Sequence, residues 1–212
     1  MKGNTDMTAV DATAFFKIGY GLYVVTTHDG KRDNGMICNT VVQVTGEPPR
    51  LSVTINKANY THDVIRETGR MNVCTLAESA SFPVFENFGF RSGRDADKFE
   101  SGALTRTANG LAVPAKDCNS VFSLKVESYV DLGTHGMFIC SVEEALVLSD
   151  APTMTYAYYQ ANVKPKPQPA PAGGAKRWIC PICGYVYEGE GQPPADYICP
   201  LCKHPGSEFI EE

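Results

Sequence analysis

Residues 34–62 read Asn34-Gly-Met-Ile-Cys-Asn-Thr-Val-Val-Gln-Val-Thr-Gly-Glu-Pro-Pro-Arg-Leu-Ser-Val-Thr-Ile-Asn-Lys-Ala-Asn-Tyr-Thr-His62. Two runs rich in β-branched and apolar residues, Met36–Val44 and Leu51–Ile55, stand on either side of Glu47-Pro-Pro-Arg50 and predict strands. The pattern then changes. Thr61 reads as a helix N-cap, Asp63 falls in the first turn and Gly69 stops a helix over Thr61–Thr68. Working outward, Leu22–Thr27 is a strand closed by Asp29-Gly30, a hairpin signal. Met71–Leu76, Val121–Val130, Met137–Val142 and Ala145–Leu148 add further strands, several with period-two alternation. Ala9–Ile18 is a short amphipathic helix candidate with Phe15 and Phe16 on its inner face. Many strands and few helices predict a barrel rather than a doubly wound sheet. Gly19-Tyr-Gly21 opens a strand, not a helix, so a dinucleotide fingerprint is excluded.

The last 37 residues hold four of the eight cysteines, as Cys180-Pro-Ile-Cys183-Gly and Cys199-Pro-Leu-Cys202. Two C-x₂-C pairs separated by fifteen residues are the spacing of a closed four-thiolate metal site. Each pair forms a turn that aims two sulfurs at one ion, and Gly184 suits the positive φ that such turns need. Tetrahedral S₄ sites suit zinc and iron alike, so spacing leaves the metal open. Zinc would make the tail a structural ribbon, and iron would make it an electron relay. The surrounding residues are Trp178, Tyr185, Tyr187, Tyr197 and a terminal Ser207-Glu-Phe209. With the knuckles they resemble rubredoxin, whose single Fe(Cys)₄ centre sits on a small aromatic core. The short stretch between the knuckles resembles the rubredoxin-type domain of rubrerythrins. The other cysteines, Cys38, Cys74, Cys118 and Cys140, have no metal spacing and read as reduced, mostly core side chains.

With 43% apolar and 20% charged residues, the 212-residue composition is that of a globular protein with room for one ordinary domain and a small one. A net charge of −5 argues against a nucleic-acid partner, and the tail from Lys176 carries −3 by itself. That acidic surface suits docking to a protein. The Met-Lys-Gly-Asn-Thr-Asp start has no apolar core of a signal peptide and no 18-residue apolar run occurs, so a cytoplasmic protein off the membrane is expected. Residues 164–175, Lys-Pro-Lys-Pro-Gln-Pro-Ala-Pro-Ala-Gly-Gly-Ala, read as a linker. Alternating prolines favour an extended polyproline-II conformation of at most about 35 Å, and Gly173-Gly174 adds a swivel. The expected organisation is a domain over 1–163, the linker over 164–175 and the metal domain over 176–212.

The 34–62 stretch also resembles the flavin reductase family, through Asn34-Gly-Met-Ile-Cys-Asn39-Thr40, Glu47-Pro-Pro-Arg50 and Ile55-Asn56-Lys57-Ala-Asn59-Tyr-Thr61-His62. Further matches follow in family order. They are Asn87-Phe-Gly89-Phe-Arg-Ser92-Gly93-Arg94-Asp-Ala-Asp97-Lys98-Phe99, Gly133-Thr-His135-Gly-Met-Phe-Ile and Met154-Thr-Tyr-Ala-Tyr-Tyr159. The resemblance covers nearly all of residues 8–160. It implies a mainly β fold, the FMN-binding split β-barrel of Greek-key type, here followed by a small rubredoxin-type iron domain.

It also implies a cofactor site. The start of the Thr61 helix offers free amides and a positive dipole end for the flavin phosphate. Asn56, Lys57, Asn59, Thr61 and His62 lie there; Lys57 adds a charge and Thr61 a hydroxyl. Asn39 and Thr40, on a strand edge near Gly35, are assigned to the flavin ring's polar rim, with Met36 and Ile37 over its face; Asn34, Gly35 and Cys38 count with them as cofactor-binding. Ser92, Arg94 and Lys98, in a Gly-rich loop, would meet cofactor or pyridine-nucleotide phosphates. A lone loop cation is commonly just solvated, and a Thr at a helix start is commonly just a cap. An isolated His on a strand is most often a packed structural residue, but the resemblance puts His135 near flavin and nicotinamide as the catalytic candidate.

The two halves together imply a relay. Nicotinamide delivers two electrons at once, a rubredoxin iron takes one, and flavin converts between them. The leading expectation is an NAD(P)H:rubredoxin oxidoreductase fused to its own rubredoxin domain: FMN, one Fe(Cys)₄ centre, NADH or NADPH as substrate, a homodimer, and a flavo-diiron protein as acceptor. Two alternatives stand beside it. One is a flavin or ferric reductase with an accessory tail; the other is a non-catalytic flavin-binding barrel with a zinc ribbon.

Overall fold

A computed structural model describes residues 14, 17–99, 105–165, 176–181, 185–189, 191–199 and 205–211. Most of the expected Ala9–Ile18 helix, including Phe15 and Phe16, lies outside the described residues, as do residues 166–175 of the linker.

The main body is an antiparallel sheet. Its first strands are β1 (Tyr23–His28), β2 (Asp33–Cys38), β3 (Val41–Gly46), β4 (Pro49–Asn56) and β5 (Arg70–Leu76). The short pair β6 (Thr105–Arg106) and β7 (Ala112–Val113) stands apart, and the long strands β8 (Cys118–Asp131) and β9 (His135–Val147) complete the body. The seven-stranded order is β2-β1-β5-β8-β9-β4-β3. β2 and β3 are thus at opposite ends of the sheet, yet only Asn39 and Thr40 separate them in the chain. Two residues of extended chain span under about 12 Å, so the sheet must curl until its two ends meet. That meeting point splits the strand expected over Met36–Val44 in two. Thr40 is fixed there to β4, its carbonyl accepting from the Thr54 amide at 3.0 Å and its hydroxyl donating to the Thr54 carbonyl.

The β1–β2 turn follows the Asp29-Gly30 signal. Gly30 has φ +90°, and the Asp29 carboxylate accepts from the Lys31 and Arg32 amides. The strands expected over Met137–Val142 and Ala145–Leu148 are one continuous β9, because β8 pairs along its whole length with two local register shifts.

Both faces of the sheet bury apolar side chains. Val24, Cys74, Leu76, Phe85, Phe88, Met154 and Tyr159 form one core, and Val25, Val53, Ile55, Ile65, Val73, Leu124 and Phe138 the other. The alternation of Val24 and Val25 is the period of a strand buried on both sides. Cys38, Cys74, Cys118 and Cys140 are all buried, as their apolar reading expects. Burial lifts the Cys140 thiol to about 12.

α1 runs Tyr60–Thr68 and ends at Gly69, whose φ of 68° makes the left-handed cap that stops it. Its N-cap is Asn59, two residues before the expected Thr61. A second helical segment was not expected: α2 (Phe82–Phe85) continues as a π-helical turn over Glu86–Phe90. Its four phenylalanines read as core without declaring a helix.

The C-terminal body is a separate three-stranded sheet, order β11-β10-β12, from β10 (Lys176–Ile179), β11 (Val186–Gly189) and β12 (Ile210–Glu211). Among the described residues no helix is long and apolar enough to cross a membrane.

Candidate functional site

A cleft of about 460 Å³ lies between the start of α1, β2 and the segment after α2. That volume is within the range of small-molecule and cofactor sites. Its walls combine Met36, Asn56, Asn59, Tyr60 and Thr61 on one side with Phe88 to Gly93 and Lys98 on the other.

Behind the cleft wall lies Asn34. This buried side chain donates through Nδ2 to the Thr61 hydroxyl at 2.9 Å, while its Oδ1 is buried with no hydrogen-bond partner. Thr61 is therefore a buried acceptor for Asn34 rather than a cap. A buried carbonyl oxygen without a donor is costly, and here it lies behind Thr61 and Gly93, both of which line the cleft. Gly93 packs directly on Asn34: a Cβ there would fall 2.0 Å from Oδ1. Gly35 is similarly tight, with Phe88 and the Val25 carbonyl each 3.1 Å from where a Cβ would sit.

Lys98 is buried, 7% exposed, and its ammonium donates to the Gly35 carbonyl at 2.7 Å and the Phe88 carbonyl at 3.4 Å. Burial, with the Arg91 charge adding to it, brings its pKa down to about 8. The first turn of α1 presents amide N–H groups to the same cleft, since Asn59 makes no side-chain cap bond. Amides, hydroxyls and an ammonium make a donor set suited to a phosphate and a polar chain. The apolar Met36 and Phe88 supply surface for a ring. These residues fit a flavin nucleotide.

Other expected residues have different surroundings. Lys57 pairs with Asp131, whose carboxyl is held below its usual range by that bond. His62 is buried against Phe138, with Nε2 3.2 Å from the Tyr129 hydroxyl and Nδ1 3.1 Å from Asp63. Arg94 pairs with Asp63 at 3.0 Å and lies over the Tyr60 ring. Burial raises the Asp63 pKa, but hydrogen bonds from His62 and Arg94 outweigh it and the net shift is downward. Ser92 lines the cleft and accepts from the Arg94 amide at 3.1 Å. Ile37, Cys38, Asn39 and Thr40 follow Met36 toward the sheet closure and are not among the cleft's walls. Burial raises the Cys38 thiol pKa. His135 is half-buried opposite Asn56 in the β4–β9 register, with Nδ1 2.9 Å from the Thr134 hydroxyl. It neighbours the cleft without lining it.

Tyr60, Phe88, Gly89, Phe90 and Arg91 line the cleft and were not singled out from the sequence. The signal was present in Asn87-Phe-Gly-Phe-Arg, but aromatic residues in such a run read as core.

In the C-terminal body, Cys180 and Cys199 are both fully buried beside Phe209, with Trp178, Tyr185, Tyr187 and Tyr197 packed around them. The Cys180 amide donates to the Tyr185 carbonyl at 2.9 Å, which brings the two ends of the first knuckle together. The Ile198–Pro205 bridge does the same for the second. Cys183, Gly184 and Cys202 lie outside the described residues. Two inward thiols on an aromatic core, each at the start of a hydrogen-bonded turn, suit a thiolate-held metal.

Comparison with known proteins agrees with both bodies. Residues 15–166 match the flavin reductase like domain, and residues 178–210 match the rubredoxin-like domain of rubrerythrin. The chain is 34% identical to a high molecular weight rubredoxin of Moorella thermoacetica, over 91% of this chain and 96% of that protein. It is 36% identical to an NAD(P)H ferric-chelate reductase of Archaeoglobus fulgidus, over 73% of this chain and 92% of that protein. The fold is that of an FMN-binding protein from Thermus thermophilus, with a TM-score of 0.62 at 16% identity over 74% of this chain and 91% of that one. The chain therefore belongs to the flavin reductase-like family and carries a C-terminal rubredoxin-like domain, an oxidoreductase whose cofactors are FMN and cysteine-bound iron.

Proposed function

We propose that this protein draws hydride from NAD(P)H and passes single electrons through its own rubredoxin-like domain to a redox protein. Bound FMN supplies the conversion: NAD(P)H and two Fe(III) yield NAD(P)⁺, one proton and two Fe(II). Asn34, Asn56, Asn59, Thr61, Ser92 and Lys98, with the first amides of α1, hold the cofactor's polar chain, and Met36 and Phe88 pack on its ring. His135, opposite Asn56, contacts the nicotinamide. Gly35 keeps the cleft wall thin enough for Lys98 to reach across it. Cys180, Cys183, Cys199 and Cys202 hold the iron. The acceptor is a flavo-diiron protein that reduces oxygen or nitric oxide. That assignment rests on the resemblance to high-molecular-weight rubredoxins.

The observation that carries this reading is that one segment serves both bodies. Residues 88–93 line the cleft, and Phe90 within them packs on the Cys180–Cys199 cluster. The test is an anaerobic titration with NADH and then NADPH, followed by absorption. Bleaching of both the flavin bands and the thiolate-to-iron charge-transfer bands is expected; a flavin spectrum alone would overturn the relay.

A homodimer is also proposed. β3 is an edge strand whose residues after Val41 are exposed, and it presents Val42 and Val44 at 59% and 45% exposure. Apolar side chains on an open strand edge are what a second copy covers. The similarity to a ferric-chelate reductase favours a second reading, reduction of ferric chelates by the barrel alone. It predicts that a Cys199→Ser chain keeps full NAD(P)H-dependent activity on every physiological acceptor.

A further inference from the structure

Phe88 and Phe90 lie two residues apart in the π-helical turn, so their side chains leave it on roughly opposite sides. Phe88 points inward: it is buried, its ring meets Phe99 at 5.2 Å, and it packs against Gly35 in the cleft wall. Phe90 points outward and is half-buried, against Phe82 at 5.9 Å on its own domain and against the aromatic cluster around Cys180 and Cys199 on the other. Gly89 between them lies beside Ile37, whose Cγ1 would stand 3.4 Å from an added Cβ, an ordinary van der Waals contact. Helical bulges of this kind recur at functional sites, because the extra residue re-aims side chains on either side of it.

Two further contacts join the bodies near the same place. Pro205, which follows the second cysteine knuckle, lines the cleft beside Phe88 to Gly93. Lys164, the first residue of the linker, donates from Nζ to the Pro181 carbonyl in the first knuckle at 3.1 Å. Pro181 in the first knuckle thus meets the root of the linker, and Pro205 beyond the second meets the cleft rim.

We propose that residues 88–93 form the docking face for the rubredoxin-like domain of the same chain, with Phe90 as the anchor that seats the metal knuckles at the rim of the flavin cleft. Phe90 is a positioning residue: it acts through where it holds the other domain. The contact of Lys164 with Pro181 names the same chain, since Lys164 opens the linker that tethers the domain. The proposal rests on the flavin–iron reading above for its purpose, although the docking contact itself is independent of which cofactors are loaded.

The test uses the full-length protein with cofactors bound and places Asp, Ala and Leu in turn at Phe90. Small-angle scattering and deuterium uptake report docking without any turnover. Phe90→Asp is expected to raise the radius of gyration and the uptake of residues 86–93 and 176–181. Phe90→Leu is expected to leave both near the parent. In single-turnover traces with NAD(P)H, the iron bands are expected to bleach at least about tenfold more slowly in Phe90→Asp, measured relative to flavin bleaching in the same trace. Phe90→Ala, a milder truncation, is expected to fall between and guards against a folding defect. Unchanged scattering and uptake in Phe90→Asp would overturn the proposal, as would an iron phase that keeps pace with the flavin phase. Mixing a Phe90→Asp chain with one lacking iron through Cys199→Ser also decides the source. Rapid iron bleaching in the mixture alone would mean that the domain docks on a second copy, against the proposal. If the parent protein shows no iron bands, the flavin–iron reading fails, and the scattering still decides the docking.

Discussion

At the residue scale, Lys98 is the group whose charge the surroundings have altered most usefully. Burial disfavours its ammonium, so its pKa falls from 10.5 to about 8 in the folded protein. In the unfolded chain it stays protonated up to about 10.4. Between these values the unfolded state binds more protons, so stability rises with pH across that window, and the cost of the buried charge is fully present below it. Comparing Lys98→Met with the parent in urea is expected to show the variant's relative advantage shrinking by up to ~3 kcal/mol between pH 8 and 10.5. Binding runs the other way. An ammonium attracts a phosphate-bearing flavin, so FMN affinity should fall several-fold from pH 7 to 9 in the parent and stay flat in Lys98→Met, read by flavin fluorescence titration. A second residue-scale prediction concerns Gly136, buried in β9, where a Cβ would fall 2.3 Å from the Tyr129 ring and 2.7 Å from His62 Nε2. Gly136→Ala must displace the His62–Tyr129 pair and is expected to cost about 1–3 kcal/mol, seen as a lowered melting temperature.

At the scale of elements, α1 serves two masters with opposite demands. A helix start is stabilised by a side-chain acceptor or a negative charge, but Asn59 supplies no cap bond and leaves the amides to the cleft. Asn59→Asp is therefore expected to raise the melting temperature slightly, by the equivalent of about 0.3–1 kcal/mol, while weakening FMN binding at least severalfold. Isothermal titration and thermal melts of the same sample would check both signs. Improved stability together with improved binding would remove α1 from the phosphate site. The Asp29–Gly30 turn and the Gly69 stop were legible in the sequence because each needs a backbone conformation that few residues tolerate. The break at Asn39–Thr40 and the fusion of two expected strands into β9 were not. Both follow from which strand pairs with which, and no local residue preference encodes that.

For the whole molecule, the two bodies depend on different forces. The barrel buries two apolar cores. The C-terminal body, whose family match spans residues 178–210, is too small to hold together by apolar burial alone. Its fold is expected to follow its metal. Removing iron with a chelator under reducing conditions should melt the C-terminal body and leave the barrel and its flavin spectrum intact, as followed by amide NMR. Cys180→Ser should do the same and abolish the charge-transfer bands. Retention of a folded tail without metal would contradict this division. The dimer has its own test: Val42→Lys with Val44→Lys should shift sedimentation toward the monomer.

By itself the sequence determined the cysteine spacing, the linker composition, the strand-rich pattern and six of the residues that line the cleft, because each of these is a local property of composition or order. Asn34, Ser92 and Lys98 could be named as candidates, but not what each touches. Only the tertiary structure turned Thr61 from a cap into the partner of Asn34 and buried His62 under Tyr129. Only it aimed Phe88 and Phe90 in opposite directions. Those outcomes depend on segments brought together from distant parts of the chain by the curl of one sheet, and closure of a sheet is decided by all of its strands at once.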